Sequence, residues 1–173
     1  MTPDGASGPA PQGAGQAAAD GLALRLLKED DAHILAPLIA AYAQLLRRGA
    51  PRRPDRYYAE TLLQDRTAEV LGAFRGPELA GFAIFFDLPE AISGRRTGQM
   101  DDLFIAHEHR GLGISTELVR QLTQIGRDRN WTYLRWLVSE KNEIAMRIYS
   151  GLSQPAAFKS FVIPVNPSTE LSA

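Results

Sequence analysis

Apolar and polar positions recur along this chain with two distinct periods, and the switches between them divide it into elements. Residues 22–27, Leu-Ala-Leu-Arg-Leu-Leu, suit a strand or the start of a helix. The acidic cluster Glu29-Asp30-Asp31 after Lys28 predicts a helix start with Asp30 or Asp31 as its N-cap. Ile34, Leu35, Leu38, Tyr42, Leu45 and Leu46 then recur at helical spacing, with Pro37 inside the run predicting a kink or a delayed start. Gly49 and Pro51 predict its stop. A shorter helical stretch covers residues 55–64. Two apolar runs, 70–74 and 79–86, are separated by Gly76-Pro77 and predict a β-hairpin.

The loop with Ser93, Gly94, Arg95 and Arg96 leads into a third strand of this set, residues 99–105. Ile114, Leu118, Leu122 and Ile125 then form one stripe of a long helix whose far face carries Glu117, Arg120, Gln121 and Gln124, and Asn130 marks its end. Residues 131–138 are strongly β-prone, 142–150 are helical in pattern, and 158–165 predict a closing strand bounded by Pro164 and Pro167. A hairpin followed by strand, glycine-rich turn, helix, strand, short helix and strand predicts a mixed α/β sheet with helices on both faces. No internal repeat is visible.

Composition narrows the function classes. A chain of 173 residues, 45% hydrophobic, can bury one sizeable core and is expected to form one domain over residues 21–166. Residues 1–20, rich in Gly, Ala and Pro, are expected to form a disordered tail, and residues 167–173 a short C-terminal one. Lys and Arg total 19 against 20 Asp and Glu, so the broad basic surface required by nucleic acid or anionic lipid is not expected. There is no cysteine, which excludes disulfides, a thiol nucleophile and thiolate metal sites, and a reducing cytoplasm fits. No run of about 18 apolar residues is present to cross a membrane.

The sharpest chemical feature is Asp101-Asp102-Leu103-Phe104-Ile105 running into His109-Arg110-Gly111-Leu112-Gly113-Ile114-Ser115, a strand that feeds a helix through a turn with two glycines. Unpaired N–H groups and the positive dipole end at such a helix start suit a phosphate or diphosphate. Gly113 would allow close approach to the backbone, Gly111 would ease the turn, and Arg110 would add a charge-assisted contact. A turn that merely needs positive φ before an amphipathic helix accounts for the same residues. The dinucleotide fingerprint is not met, because Glu117 and Leu118 stand where its third glycine should be, and no Gly-Lys-Ser or Gly-Lys-Thr marks a P-loop. His107 and His109 flank Glu108, but without a third clear ligand they read as a solvated loop, and no metal is expected.

In these residues the sequence resembles the GNAT superfamily of N-acetyltransferases, whose signature is Gln/Arg-x-x-Gly-x-Gly/Ala. Here it reads Arg110-Gly111-Leu112-Gly113-Ile114-Ser115, with Ser115 at the last position. Asn142-Glu143-Ile144-Ala145 and Tyr149 match the second family element. Asp101-Asp102-Leu103-Phe104 and residues 138–143 look most like the diamine (polyamine) acetyltransferase branch, although Lys141 stands where that branch has Trp. The resemblance implies a mostly antiparallel twisted sheet of six to seven strands with about four helices on both faces. It implies acetyl-CoA as co-substrate, held by the 110–115 turn, by Asn142, and by backbone of Leu103, Phe104 and Ile105 pairing with the pantetheine arm.

An alkyl amine near pKa 10 is protonated at neutral pH, so acetyl transfer requires a base before attack on the thioester. Asp101 is the first expectation, with Asp102 close behind, because neighbours in a strand point to opposite faces. A salt-bridged carboxylate, for instance with Arg95 or Arg96, is the bland alternative. The resemblance implies Tyr149 as proton donor to the departing thiolate, while a helix cap at Asn142 and a core aromatic at Tyr149 explain the same residues locally. The expected reaction is direct acetylation of a primary amine on a small molecule, without a covalent enzyme intermediate. Protein N-terminal or lysine acetylation, and a non-catalytic CoA-binding module, remain the alternatives. Superfamily members are often homodimers.

Overall fold

The computed structural model describes residues 21–46 and 53–165. The tails expected at 1–20 and 167–173 and the helix stop at Gly49 and Pro51 lie outside the described residues.

The element order follows the hydrophobic pattern closely. Strand β1 (Leu22–Leu26) leads through a 3-10 turn, Glu29–Asp31, into helix α1 (Ala32–Leu46) and then α2 (Arg56–Gln64). Strands β2 (Ala68–Arg75), β3 (Glu78–Glu90) and β4 (Arg95–Ile105) form an antiparallel meander, followed by α3 (Ile114–Asp128), β5 (Trp131–Trp136) and α4 (Glu143–Ser150). The sheet order is β1-β2-β3-β4-β5. All neighbours are antiparallel except β4 and β5, which run parallel as a helical crossover through α3 requires.

Local chemistry places several boundaries. The Asp55 side chain accepts the Tyr58 N–H at 3.0 Å and starts α2, and Gly76, at φ +57°, turns the β2–β3 hairpin. The start of the first helix differs from expectation. Lys28 is the N-cap of the 3-10 turn, and Asp31, inside that turn, accepts the Lys28 N–H at 2.8 Å while pairing with Arg25 at 2.7 Å. A carboxylate within the first turn neutralises exposed N–H groups as well as one preceding it. Pro37 neither ends nor delays α1, which passes through it with the ring exposed to solvent at the loss of one ladder bond.

The sheet separates two cores. Leu35 and Ile39 of α1 meet Val70, Phe74, Phe82 and Phe104 on one face. Ile114, Leu118 and Leu122 of α3 meet Leu71, Phe85 and Met100 on the other. Strict alternation would put Met100 and Phe104, four residues apart, on the same face. They lie on opposite faces because β4 is bulged: Ile84 pairs with Asp102 and Phe85 with Met100, which leaves Asp101 without an opposite residue.

Among the described residues the sheet has five strands, fewer than the six to seven expected. The missing strand is the one predicted at 158–165, which follows α4 without regular structure. β-propensity supplies the segment but a ladder also needs a partner strand, and among the described residues the segment pairs with none.

Candidate active site

The bulge at Asp101 marks the point where β4 and β5 part. Their parallel pairing ends at Met100 and Trp136, whereas β4 continues to Ile105, paired there with β3 alone. Residues 101–105 therefore present, on the side β5 has left, a backbone edge with no strand partner among the described residues, its Ile105 carbonyl taken up by the Arg110 side chain. Leu103 and Ile105 lean toward the α3 core and Phe104 toward the α1 core, so their side chains anchor the strand.

At the end of this edge the chain makes a 3-10 turn, His107–His109, and then the glycine turn. Gly111 and Gly113 have φ of +77° and +75°, and a Cβ placed on either would meet no atom within 4 Å. Gly113 is the N-cap of α3, and no side chain caps that helix. Buried Ile114 fixes the helix start to the core, whereas Leu112 is exposed and Ser115 half-buried. An open turn at the positive end of a helix is the kind of place that suits an anion. Arg110 is turned back onto β4: its Nε donates to the Ile105 carbonyl at 3.1 Å and its guanidinium carbon lies 5.9 Å from the centre of the Phe104 ring.

On the opposite face a cavity of about 210 Å³ opens between α1, α2 and the sheet. Its walls are largely apolar, including Ile39, Leu46, Leu62 and Ile84, with the phenols of Tyr42 and Tyr58 and the carboxylate of Asp102. Asp102 is the single charged side chain among the described residues lining it. The Tyr42 hydroxyl donates to Asp102 Oδ1 at 2.8 Å, and the Tyr42 ring rests on Phe104 at 5.3 Å between centroids. Asp101 projects from the bulge into solvent and does not line the cavity. Arg96, offered above as a partner for these carboxylates, instead pairs with Asp87 at 2.6 Å.

Helix α4 carries the remaining predicted residues. Asn142 is its N-cap, the side-chain oxygen accepting the Ala145 N–H at 3.1 Å. Tyr149 packs edge-on against Trp136 at 5.2 Å between centroids. Trp136 is the last residue of β5 paired with β4, so this contact holds the phenol beside the parting of the strands. Burial pushes the Tyr149 pKa above the ordinary phenol value, which keeps the hydroxyl a proton donor. Both local readings of α4 are thus realised, and neither excludes a ligand-facing role.

His109 Nε2 lies 3.3 Å from Glu78 Oε2, and Glu78, Glu108 and His109 each place one ligand atom within 4.8 Å of the others. The two carboxylates are exposed, and exposed acidic groups commonly approach one another in this way.

Sequence reasoning did not single out the cavity. Tyr42 counts in sequence as one member of an apolar helical stripe, and the residue it bonds is 60 positions away. The one available signal was a hydroxyl at the wide end of that stripe.

With the geometry in place, comparison with known proteins gives a consistent picture. The sequence profile of the family described as acetyltransferase (GNAT) family matches residues 37–152. N-acetyltransferase 8F1 of Rattus norvegicus is 27% identical over 143 residues, covering 76% of this chain and 65% of that protein. Thialysine N-epsilon-acetyltransferase of Bos taurus is 27% identical over 88 residues, 49% of this chain and 51% of that protein. The chain thus spans half to just under two thirds of the length of these relatives. The crystal structure of ribosomal-protein-alanine N-acetyltransferase from Brucella melitensis biovar Abortus 2308 superposes with a TM-score of 0.75 at 41% identity, covering 83% of this chain and 98% of that one.

Proposed function

The chain belongs to the GNAT acetyltransferase family, and from that premise we propose that it moves an acetyl group from acetyl-CoA to a primary amine carried on a largely apolar stem. The observation that carries this reading is the placing of Asp102: one carboxylate, held by Tyr42, on the wall of an apolar cavity, two residues along β4 from the last pair made with β5. An ammonium group entering that cavity meets one carboxylate, two phenols and otherwise apolar side chains among the described lining. A polycation would require several carboxylates, and the described lining supplies one.

In this reading the N–H groups at the start of α3 and the open turn at Gly111 and Gly113 hold the diphosphate of acetyl-CoA. The edge of residues 101–105 pairs with the pantetheine amides, and an N–H near Leu103 or Phe104 faces the acetyl oxygen as negative charge develops on it. Asp102 accepts the ammonium proton, directly or through one water, and the neutral amine attacks the thioester carbon. Tyr149 protonates the leaving sulfur and is reprotonated, directly or through water, by the second proton released from the attacking nitrogen, and the side-chain nitrogen of Asn142, whose oxygen is committed to the cap, donates to the carrier. Cytoplasmic location and action on a free small molecule belong to the same proposal, supported by the absence of cysteine and the narrowness of the cavity.

The α-amine of a protein N-terminus is a second acceptor class, favoured by the 41% identity to the ribosomal-protein-alanine enzyme. The deciding experiment is turnover of acetyl-CoA, read by thiol release, with single-ammonium alkylamines, thialysine, polyamines, aminoglycosides and an alanine-ended peptide offered in parallel. Highest kcat/KM on the single-ammonium amines supports the first acceptor class, and highest kcat/KM on the peptide replaces it with the second. CoA binding without turnover of any acceptor overturns the enzymatic reading in favour of a binding module.

A further inference from the structure

The chain has three lysines, and they stand in different surroundings. Lys28 precedes the 3-10 turn beside β1, at the opposite edge of the sheet from β5, and Lys141 adjoins Asn142, the cap of α4. Lys159 is the single charged residue between Arg147 and Glu170, and it lies between Phe158 and Phe161 in a stretch that runs on into Val162 and Ile163. Beyond Leu152, which packs on the α3 core, residues 153–165 are all exposed, Phe158 to 91% and Phe161 to 89%. This segment therefore offers one primary amine on a hydrocarbon stem, set among apolar side chains. The cavity beside β4 is its chemical complement, with apolar walls for the stem, two phenols, and Asp102 as the one charge in the described lining.

We propose that Lys159 is a self-acetylation site: its amine enters the Asp102 cavity of its own chain and takes the acetyl group of acetyl-CoA. The inference rests on the acetyl-transfer reading and adds an acceptor to it. The tether spans the distance required. The Leu152 N–H bonds the Tyr149 carbonyl at 3.0 Å, the Tyr149 ring lies 5.2 Å from that of Trp136, and Trp136 is paired with Met100, two residues before Asp102. Neighbouring strands lie about 4.8 Å apart, and two residues of strand advance about 7 Å. The seven residues from Leu152 to Lys159 extend up to roughly 23–25 Å, with the lysine stem in addition, so the amine can pass the end of β5 and reach the α1 side of the sheet. A short tether also gives the amine an effective concentration in about the millimolar range, which a free amine must match to compete. In the reaction Asp102 takes one proton from the Nζ ammonium, and the neutral nitrogen attacks the thioester carbon. The C–N bond forms as the C–S bond breaks, Tyr149 protonates the thiolate, and the second nitrogen proton restores Tyr149. The product is an amide, so the segment loses its charge and with it the attraction to Asp102, which frees the cavity.

The full-length protein is incubated with acetyl-CoA carrying a deuterated acetyl group and no added amine, and the label is located by peptide mass spectrometry. Label should collect on Lys159 and not on Lys28 or Lys141, at a first-order rate that does not change as the protein is diluted. Asp102→Asn should slow its arrival at least about a hundredfold. Label spread evenly over the three lysines, or an equal rate in Asp102→Asn, would show chemical acetylation by the thioester and overturn the proposal. A rate that rises in proportion to protein concentration would show transfer between molecules and overturn it as well. Turnover of a free amine with no label on Lys159 overturns the inference and leaves the acetyl-transfer reading standing, whereas the absence of both turnover and label removes the two together. Site selectivity and dilution are read on the unmodified chain, so they decide the matter even if Asp102→Asn misfolds.

Discussion

Two adjacent carboxylates in β4 receive different surroundings from one extra residue. Asp101 is that extra residue and faces solvent, while Asp102 turns into an apolar cavity and takes a hydrogen bond from Tyr42. In the proposed role of general base, Asp102 would contribute about 10²- to 10⁴-fold in rate. Asp102→Asn should therefore lower kcat/KM for the amine by at least about a hundredfold with CoA affinity unchanged by calorimetry, whereas Asp101→Asn should stay within about threefold. The reverse ranking would return the role to Asp101. Tyr149 is set for the other proton transfer. Burial raises its pKa, so the proton is present throughout the neutral range and is lost only above the ordinary phenol value. Tyr149→Phe should reduce kcat by one to two orders of magnitude with CoA affinity kept, and the alkaline fall in kcat due to this group should disappear. An unchanged kcat would remove Tyr149 from the proposed chemistry.

The glycine turn and α3 act as one unit, since an uncapped helix start matters only if the preceding residues leave it open. Gly113→Glu places a carboxylate where a diphosphate would lie and should abolish CoA binding in calorimetry. Gly113→Ala is the control, because a methyl at φ +75° bears a strain of about 1–2 kcal/mol but meets open space, and it should keep CoA affinity within about tenfold. Equal losses in the two variants would show that backbone strain decides. At the other end of the sheet, Arg25 and Asp31 fasten β1 to the start of α1. The hydrogen bond from Arg25 lowers the Asp31 pKa, assisted by the Lys28 N–H. A depressed carboxylate pKa contributes stability above its unfolded value, near 3.8, and loses it as pH falls through the folded value. Asp31→Asn should thus melt below the parent at pH 6, and the two melting temperatures should draw together only as pH falls below 3.8 and through the still lower folded value. Elements whose boundaries rest on neighbouring residues were legible in sequence: the short helix over 55–64, the Gly76 hairpin, the helical stripe of α3, the Arg110-to-Ser115 turn. What was not legible depends on residues far apart. The Asp101 bulge exists only relative to β3, and Tyr42 meets Asp102 only once α1 packs on β4. The 158–165 stretch has a strand's composition and, among the described residues, no partner strand.

At the scale of the whole molecule the sheet is a partition. The cavity with Asp102 opens on the α1 side, while Met100 and the buried start of α3 belong to the core on the other. β4 reaches both, and it can do so while leaving β5 because the bulge bends it at the residue after their last shared pair. Removing the bulge isolates this contribution. Deleting Asp101 leaves Met100 on the α3 face and Asp102 and Phe104 on the α1 face, since strict alternation from Met100 to Asp102 now satisfies both assignments. Each core keeps its side chains, and the straightened strand is free to extend its parallel ladder with β5 past Trp136. The variant should fold, with a melting temperature equal to or above that of the parent, yet lose CoA binding by at least about a hundredfold, because the slot between the two strands closes. CoA titration calorimetry and a thermal melt on the same sample read both quantities. A variant that melts as the parent does and still binds CoA would show that the bulge does not open the slot, and that the parting of the strands is set by α4 and the Trp136–Tyr149 contact instead.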